Sequence, residues 1–293
     1  MQTVQFFDDP AAFLDAGEPL FATDPVGCNV LTVFTDRIAR GDVAPDPGSW
    51  WALLREGDRL MGAAMRTAPF EPRPLWLMPM PDGAARALAR ALIERGEHPG
   101  GANGGLPAAR IVAEDCARHF GGTVEVSMAT RLWELGELRV PTGVPGRARL
   151  ATYDDLALCH AWYADFPRAA REQAGNAETA QGEHQPTEDD IAQRIEQERV
   201  LLWEVDGEVV HLTGMSYPVL GVGRIAPVYT PEEHRGRGYG AAGVAAASAR
   251  LQERGRVCLF TDLDNPVSNH LYATLGYEPL VDMANHTLVS REP

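Results

Sequence analysis

Six residues, Arg235-Gly-Arg-Gly-Tyr-Gly240, set two guanidinium groups among three alternating glycines, just ahead of an alanine-rich stretch, Ala241 to Arg254, that reads as a helix. The segment before them, Arg224 to Tyr229, reads as a strand that a proline-broken turn ends. Glycine lets a backbone come close to a ligand, and the first amides of a helix lack internal partners and carry partial positive charge. The combination is suited to an anion, above all a phosphate or pyrophosphate.

Two known phosphate loops can be weighed against this stretch. The chain contains no lysine, so all 26 of its basic residues are arginine. The phosphate loop that ends in Gly-Lys is therefore excluded, as is lysine-dependent covalent catalysis. Gly238-Tyr-Gly-Ala-Ala-Gly243 matches the dinucleotide fingerprint literally, and Asp262 follows at about the spacing of its ribose-binding acid. Against that reading, Pro231-Glu-Glu-His-Arg235 separates the strand from the glycines. The chain after Gly243 is also too short for the further strand-helix units such a fold needs.

The totals narrow the class. The 293 residues suit two domains, and an apolar fraction of 45% with 23% charged residues is that of an ordinary soluble globular protein. A net charge of -15 argues against a nucleic-acid or anionic-membrane partner. The four cysteines are far apart and in apolar surroundings, and the eight histidines show no metal-ligand spacing, so no metal is expected. The first residues do not read as a signal peptide, and no run reaches the ~20 apolar residues of a membrane helix, which makes the cytoplasm the expected location.

The elements that must position the loop repeat along the chain. Helices are expected at 10–16 and 28–40, strands at 50–55 and 59–69 around Glu56-Gly-Asp58, an apolar run at 75–80, a helix at 84–95, and then strand, helix and strand to Leu135. Pro141 to Gly146 reads as a linker. Beyond it come helices at 153–166 and 189–197, a polar stretch from Arg171 to Glu188 expected to be a mobile loop, and strands at 200–205 and 209–217 around Asp206-Gly-Glu208. An offset of 150 residues lays Gly57 on Gly207, Met65 on Met215, Leu75 on Ile225 and Pro81 on Pro231. The chain is thus read as a duplication, 1–145 and 146–293. Where the second copy has its glycine-arginine loop, the first has Asp82-Gly-Ala-Ala-Arg-Ala-Leu88, so the first copy is expected to keep the fold without the ligand.

Read as Arg-x-x-Gly-x-Gly, the loop resembles the coenzyme A pyrophosphate loop of the GNAT N-acyltransferase superfamily. Asn265-Pro-Val-Ser-Asn269-His-Leu-Tyr272-Ala-Thr-Leu-Gly276-Tyr277 looks like that superfamily's Asn-Pro-x5-Tyr-x3-Gly-Phe/Tyr segment, in the expected order. The resemblance covers roughly residues 147–293. It implies an α+β protein of two tandem GNAT-like domains, each a mixed, mostly antiparallel sheet flanked by helices, with a degenerate first copy.

The resemblance also implies roles. Acetyl-CoA would be the acyl donor, its pyrophosphate held by the backbone of Arg235, Gly236, Arg237, Gly238, Tyr239 and Gly240 with the two arginines nearby. Charge-assisted hydrogen bonds worth about 1.5 to 3 kcal/mol each can together give micromolar binding. The strand end Val228-Tyr229-Thr230 would splay from its neighbour and pair with the pantetheine arm, and Asn265 and Asn269 would touch that arm. Asn265 reads equally as a helix cap before Pro266. Tyr272 would be the general acid that protonates the departing thiolate, a phenol of pKa ~10 serving a thiol of ~8.5; a packing tyrosine is the alternative. Tyr277 reads as core. The base stays open among Glu204, His211, Asp262, Asp264 and a water chain, while His234 reads as a loop residue.

The acceptor region would include Trp162, Tyr163, Phe166 and the carboxylates Glu172, Glu178, Glu183 and Glu188, which suit a cationic amine and suit a solvated loop as well. The expected partner is a small-molecule or peptide amine, for a monomer or homodimer. The expected reaction is direct transfer of acetyl to a primary amine, the alternative being a non-catalytic coenzyme A-binding sensor or assembly protein.

Overall fold

The computed structural model describes residues 2–68, 72–174 and 186–290. Glu178 and Glu183, with most of the polar stretch, lie outside them.

The same element order occurs twice. The first run is β1 (Gln2–Phe7), α1 (Pro10–Phe21), α2 (Asn29–Ala39), β2 (Trp50–Glu56), β3 (Arg59–Arg66), β4 (Leu75–Leu77), α3 (Asp82–Glu94), β5 (Gly101–Gly105), α4 (Ala108–Phe120) and β6 (Gly122–Leu135). The second is β7 (Arg147–Leu150), α5 (Leu156–Ala174), α6 (Glu188–Glu196), β8 (Val200–Val205), β9 (Glu208–Val219), β10 (Val222–Tyr229), α7 (Tyr239–Gln252), β11 (Arg256–Asp262), α8 (Pro266–Thr274) and β12 (Tyr277–Ser290).

The two runs agree in detail. Glu56 pairs with Arg59 and Val205 with Glu208, so two-residue hairpins close both, and each hairpin carries a bulge, at Leu54/Arg55 and at Trp203/Glu204. Positive φ at Gly57, Asp206 and Gly207 meets the demand of such tight turns. The offset of 150 is one residue too large across this hairpin, because Gly57 opens the first turn while Gly207 closes the second.

The chain divides into two compact units, Met1–Arg131 with Val281–Pro293, and Leu132–Leu280. The parting lies near Arg131 and not at the proline-glycine segment 141–146, and the end of the chain returns to the first unit. The physical reason is strand pairing: Met283 to Thr287 of β12 run antiparallel to Gly105 to Gly101 of β5.

In the first unit the strand order is β1–β2–β3–β4–β5–β12. Its core gathers Trp51, Leu53 and Leu54 of β2 with Phe13, Leu31, Leu88 and Val112 from the four helices. Asp9 caps α1 by accepting from the Ala11 and Ala12 amides, and Gly121 in the left-handed region ends α4.

In the second unit the order is β6–β11–β10–β9–β8–β7, with β10 to β7 antiparallel to one another and β10 parallel to β11. Side chains alternate across this sheet, so Leu201 and Leu202 enter different cores. One core packs Leu202 and Leu212 under Cys159, Tyr163, Ile191 and Ile195 of α5 and α6. The other packs Leu201, Met215 and Ile225 under Val244 and Leu251 of α7 and Tyr272 of α8. At the sheet edge Arg149 donates to both Asp155 and Glu204, and its hydrogen bonds hold the Asp155 carboxyl down to about 2. Among the described residues no helix is long and apolar enough to cross a membrane.

Candidate functional site

The site begins with a broken pairing. β10 and β11 run parallel, yet only Val222 to Arg224 pair with Arg256 to Cys258. β10 then continues to Tyr229 and β11 to Asp262 without pairing to each other. The cause lies on the far side of β10. Ile225 pairs with Met215 and Val228 with Thr213, so Ala226 and Pro227 together oppose Gly214 alone. This is a β-bulge, which bends a strand and re-aims the residues beyond it. Pro227 has no amide to give a ladder. Gly214 is what makes room, since a Cβ there would stand 2.4 Å from the Ala226 carbonyl oxygen and 2.6 Å from Pro227 Cδ.

The parted strands open a cleft of about 440 Å³. Ile225 to Thr230 form one wall, Phe260 to Asp262 another, and Asn265 with Ser268, Leu271 and Tyr272 of α8 completes that side. Backbone groups that a sheet would have consumed face this space and need partners.

At the cleft's end lies the glycine-arginine loop. Gly236 and Gly238 take φ of 75° and 84°, the left-handed region that side chains disfavour. Gly238 is the N-cap of α7, whose first turn carries no acidic residue. Gly236, Gly238, Tyr239 and Gly240 all line the cleft. A Cβ on Gly240 would find its nearest neighbours, Leu271 and Thr230, at an ordinary 3.6 Å, so packing does not require glycine there. What its absence does is keep the first turn of α7 open. Arg235 lines the cleft and latches the loop to the strand end, its Nε donating to the Thr230 carbonyl at 3.0 Å. Arg237 is not among the lining residues; its side chain donates to the Glu233 carbonyl at 3.1 Å.

Tyr272 reaches the cleft from α8, packed edge-on against Tyr277 with ring centroids 5.8 Å apart. Burial pushes its phenol pKa up, and its hydroxyl makes no hydrogen bond among the described residues. Tyr277 is core: it shares a hydrogen bond of 2.7 Å with Ser248, whose hydroxyl donates to the Val244 carbonyl. Asn265 is a helix cap that also lines the cleft. Its Oδ1 accepts from the Ser268 amide as a helix cap, while its Nδ2 faces Gln173 at the cleft.

Asn269 stands apart. Its Oδ1 accepts from Thr261 Oγ1 and its Nδ2 donates to the carbonyls of Asp262 and Leu263, so its amide is spent on the β11–α8 turn and it is not a lining residue.

The candidate bases separate in the same way. Glu204 is held by Arg149 and Arg147, which lower its pKa, and lies on β8 outside the lining. Asp264 is exposed and also outside it. His211 is fully buried, and burial brings its pKa down to about 3. Asp262 lines the cleft, one oxygen accepting from the Asp264 amide. His234 lines it too, with Nε2 at 3.5 Å from Glu208 and a buried Nδ1 that has no partner among the described residues.

The third wall is α5, through Phe166, Ala169, Ala170 and Gln173. The helix is expected to stop at Phe166; the observed one runs through Pro167 to Ala174. The signal was there in Asp165, Arg168 and Glu172, spaced three and four apart and ion-paired along one helix face. Tyr229 joins this wall to β10. Its hydroxyl donates to Asp165 at 2.6 Å and its ring packs on Trp162, while burial and the neighbouring Asp165 carboxylate push the phenol up to about 12. Tyr163 points instead into the core between α5 and α6. Among the described residues no three His, Cys, Asp or Glu side chains gather as metal ligands would.

Comparison with known proteins agrees with this geometry. Residues 157–277 match the acetyltransferase (GNAT) family. No curated protein matches the chain significantly. Among solved structures, the chain resembles a GCN5-related N-acetyltransferase from Sphaerobacter thermophilus with a TM-score of 0.58 at 15% identity, over 100% of this chain and 97% of that one. A GNAT-family acetyltransferase from Colwellia psychrerythraea gives 0.55 at 10% identity, over 99% and 100%. A tandem GNAT protein from the clavulanic acid biosynthesis pathway gives 0.52 at 15% identity, over 99% of each. At such identities the likeness establishes the fold, two GNAT-like halves in one chain.

Proposed function

We propose, proceeding from a C-terminal unit that belongs to the GNAT family of acetyltransferases, that this chain moves an acetyl group from acetyl-CoA to a primary amine. The observation that carries the reading is the parting of β10 from β11 over a cleft that ends at the first turn of α7. The residues present fit the coenzyme. Open amides at Gly236 to Gly240 and the Arg235 guanidinium suit the pyrophosphate, and the side of Val228 to Thr230 that β11 leaves without a strand partner suits the amides of the pantetheine arm. Asn265 Nδ2 is a further donor at the rim. Arg237 contributes charge from outside the lining.

Tyr272 is the proton donor in this reading. The amine nitrogen bonds to the acetyl carbon, the carbon–sulfur bond breaks, and the tyrosine proton goes to the leaving sulfur, without a covalent enzyme intermediate. A buried phenol stays protonated at working pH, so the proton is present when the thiolate forms. Asp262, the carboxylate among the lining residues, takes the proton of the incoming amine. An alkyl ammonium is only ~0.1% neutral at pH 7, so the amine reacts as its minor neutral form at a cost of about 4 kcal/mol, and the proton that Asp262 takes is the one nitrogen loses once it has bonded to the acetyl carbon. The acceptor is a small-molecule or peptide amine that reaches the α5 wall near Trp162 and Tyr229. A monomer or homodimer working in the cytoplasm, with neither metal nor nucleic acid, completes the reading.

Calorimetry with acetyl-CoA tests the donor, comparing wild type with Arg235→Glu; no heat from either protein would refute it. Thiol release across a panel of amines tests the reaction. Binding without release for any amine would favour a coenzyme-A-binding sensor.

A further inference from the structure

His211 has no place in the proposed chemistry, yet every polar atom of its ring is spoken for. Nδ1 lies 2.7 Å from Thr230 Oγ1 and Nε2 lies 2.7 Å from Thr213 Oγ1. The ring is fully buried and α7 closes over it at Gly243, where a Cβ would stand 2.3 Å from the imidazole Cδ2. The residue therefore touches β9, the end of β10 and the second turn of α7, the last two of which frame the anion cradle.

Burial keeps the ring neutral, and a neutral imidazole has one N–H and one acceptor nitrogen. One threonine must then receive a proton from the ring and the other must give one. Burial breaks the tie. Thr213 is fully buried and its hydroxyl meets only Nε2 among the described residues, so an Nε2–H would leave the Thr213 proton buried without an acceptor. Nε2 therefore accepts from Thr213, and Nδ1 carries the ring proton and donates to Thr230 Oγ1. The proton of the Thr230 hydroxyl is left unspent. Thr230 lines the cleft, its Oγ1 3.6 Å from where a Cβ of Gly240 would sit.

We propose that His211 is a positioning residue: held as the Nδ1–H tautomer, it turns the Thr230 hydroxyl into a donor toward the anion at the start of α7. The proposal rests on the coenzyme reading for the identity of that anion, the pyrophosphate, but not for the tautomer.

Two measurements on the full chain test it. Nitrogen-15 correlation spectra of the ligand-free protein should show His211 protonated at Nδ1 and unprotonated at Nε2. The Nε2–H tautomer would overturn the proposal whatever the protein binds. Titration then compares acetyl-CoA with acetylpantetheine, which lacks the pyrophosphate. Thr230→Val should weaken acetyl-CoA about tenfold, the loss of one hydrogen bond to a charged group, and leave acetylpantetheine within about twofold. Thr230→Ser should bind as wild type. His211→Asn keeps an amide donor near the Nδ1 position and should stay within about threefold. His211→Leu should match Thr230→Val, and the double variant should be no weaker than either, because the two act through one bond. Wild-type affinity in a folded Thr230→Val variant would overturn the proposal. Failure of the wild type itself to bind acetyl-CoA would refute the coenzyme reading while the tautomer result stood.

Discussion

The two units are built from the same elements in the same order, and they treat one junction in opposite ways. In the second unit β10 leaves β11 after Arg224. In the first, all of β4 stays paired to β5, Leu75 with Ala102, Trp76 with Asn103 and Leu77 with Gly104. β5 is Gly-Ala-Asn-Gly-Gly, and its glycines are what allow so close an approach. A Cβ on Gly104 would stand 2.0 Å from the Leu77 carbonyl oxygen, and one on Gly105 would stand 2.7 Å from Pro79 Cα. The pairs of β4 with β3 show no bulge, whereas Ala226 and Pro227 crowd past Gly214. The helix starts differ as well. Asp82 puts a carboxylate in the first turn of α3, while α7 opens from a left-handed glycine with none. Glycine thus does opposite work in the two copies: it bulges one strand away from its neighbour and presses the other strand shut.

Four variants would break or sharpen this contrast. Replacing the proposed acid should have the largest effect. Tyr272→Phe is expected to lower thiol release by about 10² to 10⁴ with acetyl-CoA affinity nearly unchanged, since a general acid acts on the transition state. Steady-state release with a reactive amine, beside calorimetry, checks both halves of that statement.

Gly214→Val comes next. The new side chain meets backbone at the bulge and the Tyr163 hydroxyl, 2.6 Å from its Cβ, so the bulge must shift and acetyl-CoA affinity should fall by more than about tenfold. Thermal unfolding should also show a loss of about 1 to 3 kcal/mol. The matching change in the other unit, Gly104→Ala, forces a side chain into a φ of 141° against the Leu77 carbonyl and should cost about 1 to 3 kcal/mol, read by urea unfolding of the first unit. Acetyl-CoA affinity should stay at the wild-type value; a parallel loss would erase the proposed division of labour.

The smallest effect concerns pH. His211 has its folded pKa lowered from 6.5 to about 3, so the unfolded chain takes up a proton that the folded chain refuses. Its contribution to stability is therefore complete above pH 6.5 and declines as pH falls from there toward 3, by at most about 1.4 kcal/mol per pH unit. Urea midpoints at pH 7 and pH 5 should differ less in His211→Asn than in wild type.

Much of this was legible in the sequence because it is local. The hairpin turns, the cap at Asn265, and the loop from Arg235 to Gly240 each depend on neighbours a few residues away. What escaped depends on residues brought together by the fold. Ala226 and Pro227 look like an ordinary strand interruption until Gly214 is seen opposite them. Asn269 fits its motif, yet its amide is engaged by Thr261, which Trp133 also holds, a residue from before the linker. His211 read as a possible base because a β-strand pattern cannot say that both of its nitrogens meet threonines. The helix α5 outruns its expected end at Phe166, and Asp165, Arg168 and Glu172 tie together the turns on either side of Pro167.

The central claim is that one cleft, in one of the two units, takes the coenzyme. Isothermal titration of acetyl-CoA into the full chain tests it most directly. The account predicts one site per chain of micromolar strength, lost in Gly214→Val and kept in Gly104→Ala. No binding to the wild type, a second site of similar strength, or full affinity in a folded Gly214→Val variant would contradict it.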